Sequence, residues 1–355
     1  MTSTPPPPPP EQHPWQPPAA PQGQVPGGDQ PPTAYPQQPG VSVGYAYPPA
    51  PVKPPALPAE PTEYHLLLRG PRRAWWRPLV SLLIVLAGFI VASLVLLVGM
   101  TIGWLLMGED LGEFADLSLD GNNPVTFAGQ NLFLAALIPI TGLATWVAHG
   151  VRPGFLSSVV GRFRWGWFGW CLLVIVPLWI GYIIIGGLIV GDSGAAEATG
   201  SRPPTWLPLL ILTLLTTPLQ SAGEEYLFRG WLMQQVGAYV KNTYAALVIA
   251  IVLSVVLFGL AHSSLDPWVL IELGAIATAA VLLTWRTGGL EAAVVLHLVN
   301  NVIVLSAAIL TTGLSDTFIT PETTSTPVAA LTTIVANALV TAAVFWLARK
   351  RGVAR

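Results

Sequence analysis

Eight apolar runs, each about long enough to cross a bilayer, constrain this chain more than any other feature. They lie near 79–107, 127–148, 168–190, 206–236, 244–262, 268–285, 292–310 and 328–348. A helix needs about 20 apolar residues to span the hydrocarbon core. In lipid every backbone polar group must be satisfied within the chain, so such runs form helices. Only 10% of the 355 residues are charged, where soluble domains carry about 25%. The expected fold class is an all-α polytopic membrane protein, an eight-transmembrane-helix bundle over 79–348.

Charge placement sets the expected orientation. All but three of the 16 Lys and Arg fall on one set of flanks; Lys53, Arg202 and Arg229 are the exceptions. Basic residues mark cytoplasmic loops. A multi-pass cell membrane protein with both termini in the cytoplasm is expected. The acidic segment Gly108–Val125, with Glu109, Asp110, Glu113, Asp116 and Asp120, then lies on the opposite side.

Residues 1–62 form a different compositional block, holding 22 of the 35 prolines. Such a segment buries little apolar surface, and a disordered, partly polyproline cytoplasmic tail is expected. It reads as a solvated tether more readily than as a docking tail for a proline-binding module. Residues 63–78, with Arg69, Arg72, Arg73 and Arg77, read as a basic juxtamembrane segment, and 349–355 as a basic cytoplasmic tail. The start lacks an apolar core behind a basic region, so no cleavable signal peptide is expected. The single Cys171 excludes an internal disulfide and a cysteine-rich metal site.

Against this background, Ser221-Ala-Gly-Glu-Glu-Tyr-Leu-Phe-Arg-Gly230 is costly. A charge at the bilayer centre costs about 2.5–3.5 kcal/mol on insertion scales, so it is paired, hydrated or functional. Glu225 and Arg229 are four apart and share a helical face, which suits an ion pair. Glu224 is turned about 100° away and keeps a free carboxylate. Two further polar clusters interrupt apolar runs: Phe258-x-x-x-His262 and His297-x-x-x-Asn301. A carboxylate with two imidazoles suits water activation. Either the carboxylate takes the proton directly, or Glu224, His262 and His297 hold Zn²⁺ with water in the open position. Glu272 has no obvious partner in the sequence and reads as packing or surface. Singly, each histidine or the asparagine could be interhelical glue. Confinement of the set to three short blocks favours function.

Together Glu224-Glu225-x-x-x-Arg229, Phe258-x-x-x-His262 and His297-x-x-x-Asn301 resemble the CAAX-processing and bacteriocin-immunity family of intramembrane proteases. Its members include the type II CAAX prenyl endopeptidases. The likeness covers about residues 205–312. It implies a glutamate-dependent intramembrane endopeptidase. Glu224 would activate water and His262 assist. His297 and Asn301 would stabilise the oxyanion, with Glu225 and Arg229 in support. The implied partners are the bilayer and a membrane-embedded or lipid-modified protein or peptide substrate, with no nucleic acid. Two other readings use the same residues: a transporter or channel with an ion path, or a catalytically silent immunity or scaffold protein. A transporter is expected to show corresponding halves with broken helices, and none is visible. A silent relative is expected to have lost a motif residue, and all are present. Drawn as straight spans, however, His262 and His297 lie at different depths.

Overall fold

The computed structural model describes residues 53–190, 201–314, 319, 321 and 323–354. Most of the proline-rich block, 1–52, lies outside the described residues. Among the described residues there are helices and no strands, and eight helical spans are long and apolar enough to cross a membrane. The protein is a multi-pass membrane protein.

The first span is α1 (Arg77–Met107). The second is α3 (Pro124–Ala135) followed directly by α4 (Leu137–His149), after a short α2 (Phe114–Leu119). The break at Ala136 has a local cause. Pro139 has no N–H to return to the carbonyl of Ala135, four residues back. A single turn, α5 (Gly154–Ser157), precedes the third span, α6 (Trp165–Val190). The fourth comprises α7 (Trp206–Glu225), a π-helical segment (Tyr226–Leu232) and α8 (Met233–Tyr239). Four spans complete the bundle: α9 (Thr243–Ala261), α10 (Pro267–Thr287), α11 (Glu291–Thr311) and α12 (Pro327–Arg351).

Helix starts follow their sequence signals. Asn123, Asn242, Asp266 and Thr326 each accept a backbone N–H of the first turn. Gly108, Gly150, Gly288 and Gly352 end α1, α4, α10 and α12 in the left-handed conformation.

Burial sorts the helices into centre and rim. In α1 only Ser81, Val85, Met100 and Trp104 are buried, while Leu83, Val95 and Leu106 are more than 60% exposed. An apolar face of that extent is a lipid-facing surface. In α11, by contrast, Glu291–His297 are all buried. This helix is the axis of the bundle, packed by α6, α7 and α10. Its main core unites Trp167, Cys171, Ile175 and Trp179 of α6 with Val295, Leu296 and Val299 of α11 and Val340 and Val344 of α12.

The N-terminal side of α11 is pinned by an ion pair. Glu291 is fully buried and takes Arg164 bidentately, at 2.8 and 2.7 Å. The backbone N–H of Arg164 adds a third bond to the same carboxylate, and its guanidinium also donates to the Thr287 carbonyl. A buried carboxylate is tolerable only with such pairing.

The segment before α1 does more than supply basic charge. Residues Tyr64–Arg69 form a 3-10 turn with Tyr64–Leu68 buried against α8. Ala56 and Leu57, within the range read as tail, also pack on this cluster. Arg69 donates to the carbonyls of Gly237 and Val240, and Arg73 to that of Ala238. Arg77 reaches the carbonyl of Ala148. These cations sit where helix C-termini leave carbonyls unpaired and partially negative. Gly237 is required here, because a Cβ would overlap the carbonyl oxygen of His65.

Candidate active site

The Glu-Glu pair sits at the end of α7, where the helix widens into a π segment. α3 supports this point from one side. Asn131 donates to the hydroxyls of Thr216 and Thr217, at 2.8 and 3.2 Å. At Gly223 the two backbones approach so closely that a Cβ would overlap the Leu134 carbonyl. The π geometry is rare and concentrates at functional sites. Nothing in the sequence pattern marks it.

The two glutamates differ as their positions imply. Glu225 is 1% exposed and accepts Arg229 Nη1 at 2.8 Å, with Arg229 fully buried. The guanidinium also lies over the rings of Phe258 and Phe228, with centroids at 5.0 and 5.8 Å. Such faces stabilise a desolvated cation. Glu224 is 12% exposed, and its polar partner is Gln220 Nε2, at 2.6 Å to Oε1.

α11 delivers His297 between them. His297 Nδ1 is 2.8 Å from Glu225 Oε1, and Nε2 is 3.7 Å from Glu224 Oε2. A carboxylate held ionised by an arginine can only accept, so Nδ1 carries a proton. The tautomer is thereby fixed, and Nε2 faces the more exposed Glu224. Glu225 thus does two things: it neutralises Arg229 and it orients the imidazole.

One turn further along α11, Asn301 is held from both sides. Its amide donates to Gln220 Oε1 at 3.2 Å, and its carbonyl accepts from Asn300 at 2.9 Å. One of its two N–H donors has no partner among the described residues.

His262 caps the end of α9. Its Nδ1 is 2.7 Å from the Phe258 carbonyl, so Nδ1 is the donor and Nε2 the acceptor in the neutral ring. The next residue, Ser263, takes φ 60, so the chain leaves the helix there. The Phe258 ring packs against the His262 ring at 4.5 Å and against the His297 ring at 5.8 Å. Phe258 is a core residue, 3% exposed, that touches both imidazoles and Arg229. Phe258 thus joins the two histidines that straight spans place at different depths.

The described residues do not offer a ready metal site. No three His, Cys, Asp or Glu side chains among them are grouped to hold an ion. His262 makes no ion pair with either glutamate among the described residues, and its Nδ1 is engaged by a carbonyl. The set Glu224, His262 and His297 therefore does not fit a zinc ligand set as it stands.

Glu272 finds its partners on α12 and in the segment just before it. It accepts from Ser325 and, at 3.2 Å, from Thr333, which also meets Tyr182 at 2.8 Å. Gln220 does not stand out in the sequence because it is a single uncharged side chain outside the three motif blocks. Its spacing four before Glu224 was the available signal.

A multi-pass helical protein with paired carboxylates, an oriented imidazole and a clamped amide in its interior has the inventory of a hydrolase site. Residues 203–303 match the family model described as type II CAAX prenyl endopeptidase Rce1-like. That segment contains every motif residue of the resemblance. No curated protein and no solved structure matches the chain.

Proposed function

We propose that the protein is an intramembrane endopeptidase of the CAAX prenyl type, acting on lipid-modified, membrane-associated proteins or peptides. The observation that carries this reading is His297 held between an ion-paired Glu225 and a more exposed Glu224, within the segment matched by the family. Glu224 is the base. It takes a proton as water attacks the scissile carbonyl carbon. The carbonyl oxygen becomes an oxyanion, received by the free N–H of Asn301 and by Nε2 of His297 when that nitrogen carries a proton. The C–N bond then breaks, and the leaving amine takes the proton held by Glu224. Glu225 keeps His297 in register throughout. Arg229 offsets the buried charge of Glu225. His262, with Nε2 as acceptor, assists the attacking water.

The site opens toward the cytoplasm and both termini lie on that side, in keeping with the placement of the basic residues. The arginines that cap α4 and α8 support this orientation, since they gather at one end of the bundle.

The test is cleavage of a farnesylated peptide with a C-terminal Cys-aliphatic-aliphatic-X sequence. Purified protein in liposomes is mixed with this peptide and with its unlipidated counterpart, and products are identified by mass. Cleavage that depends on the lipid is expected. Absence of cleavage of either peptide contradicts the proposal.

A further inference from the structure

The strongest unassigned feature of the interior is Gln220. Its side chain is 8% exposed and lies within α7, four residues before Glu224. Its amide nitrogen donates to Glu224 Oε1 at 2.6 Å. Its amide oxygen accepts from Asn301 Nδ2 at 3.2 Å and from Ser221 Oγ at 3.1 Å. One side chain thus ties the carboxylate on α7 to the amide on α11. The polarity of the bonds is determined, because a carboxylate can only accept and the Asn301 carbonyl is already taken by Asn300.

We infer that Gln220 is a positioning residue for hydrolysis. It sets the distance and rotation between the water-activating carboxylate of Glu224 and the oxyanion donor of Asn301. The inference rests on the proposed function and adds a residue to it. Without Gln220, Glu224 loses the one hydrogen-bond donor it has among the described residues and is free to rotate about its terminal bonds. Asn301 loses the acceptor that fixes which N–H faces the site. Misplacement of a reacting group by about 1 Å costs on the order of 10²-fold in rate. Gln220 acts through Glu224 and Asn301, so the loss belongs to kcat.

Gln220→Met preserves volume and removes both bonds. Gln220→Glu keeps the acceptor for Asn301 but replaces the N–H donor to Glu224 with a second carboxyl group. Both are measured against wild type in detergent for thermal midpoint, and in liposomes for kcat and KM on the farnesylated peptide. Gln220→Met is expected to lose about 10²-fold in kcat, with KM and midpoint near wild type. In an Asn301→Ala background its effect is expected to shrink, because half of the clamp is already gone. Wild-type kcat, an undiminished loss in the Asn301→Ala background, or a loss that tracks a fallen midpoint each overturns the inference. A second readout needs no turnover. The carboxylate stretch of Glu224, identified by its disappearance in Glu224→Gln, is expected to shift in Gln220→Met and Gln220→Glu. An unshifted band overturns the clamp even where wild type cleaves nothing, a result that would overturn the proposed function alone.

Discussion

Replacing Glu225 by Gln separates the two duties that the structure gives this residue. Its carboxylate is 1% exposed and Arg229 is fully buried, so no water screens the pair. Glu225→Gln leaves a buried guanidinium without its counter-charge. Breaking one partner of a buried pair costs about 3–5 kcal/mol. In a domain of this size that corresponds to a fall in thermal midpoint on the order of 10 °C. The bond from His297 Nδ1 adds a second effect. A neutral amide can accept at oxygen or donate at nitrogen, so the tautomer is no longer enforced, and turnover is expected to fall by about 10²-fold or more. The double change Glu225→Gln with Arg229→Gln removes both charges and is expected to recover much of the midpoint but not the turnover. The assays are thermal denaturation in detergent and peptide cleavage in liposomes. A Glu225→Gln protein with wild-type midpoint and wild-type turnover refutes the assignment of both duties. Recovery of turnover in the double variant refutes the role in orienting His297.

Three further outcomes are expected. Gly237→Val drives a side chain into the His65 carbonyl, so it is expected to release the 64–69 turn, lower the midpoint, and expose the Arg69 region to protease. Docking of that turn is also expected to weaken in acid. Burial holds the His65 pKa below its ordinary 6.5, partly opposed by Glu63. The docked state therefore binds fewer protons, and its stability is present above about pH 6.5 and lost as pH falls through the lowered value; protease sensitivity near Arg69 that does not rise between pH 7 and pH 5 counts against this. Cysteines placed at Ser118 and Ala354 are expected to react with an impermeant reagent from opposite sides of the membrane, and labelling of both from one side contradicts the eight-span topology.

The architecture was legible where apolar length alone decides. The eight runs match the eight spans to within a few residues, because lipid enforces helix wherever about 20 apolar residues occur. Helix periodicity also suffices for Glu225 and Arg229, which pair as their spacing requires. What was hidden depends on partners distant in the chain. Arg164 reads as loop charge, yet it is the counter-ion of Glu291 across 127 residues. Residues 63–78 read as basic flank, yet Tyr64–Leu68 pack into the bundle. The π segment leaves no trace in composition, since it changes hydrogen-bond register and not residue type. The zinc alternative could be weighed only with coordinates, because ligand spacing across three helices is a matter of geometry.

The central claim is that Glu224 is the base that activates water. Glu224→Gln keeps the side-chain volume and leaves Gln220 a polar neighbour, but it cannot accept the proton. Single-turnover cleavage of the farnesylated peptide by Glu224→Gln in liposomes, beside wild type and with both midpoints recorded, tests this directly. The account predicts a rate lower by about 10²–10⁴-fold with the midpoint retained. Cleavage at a near wild-type rate contradicts it.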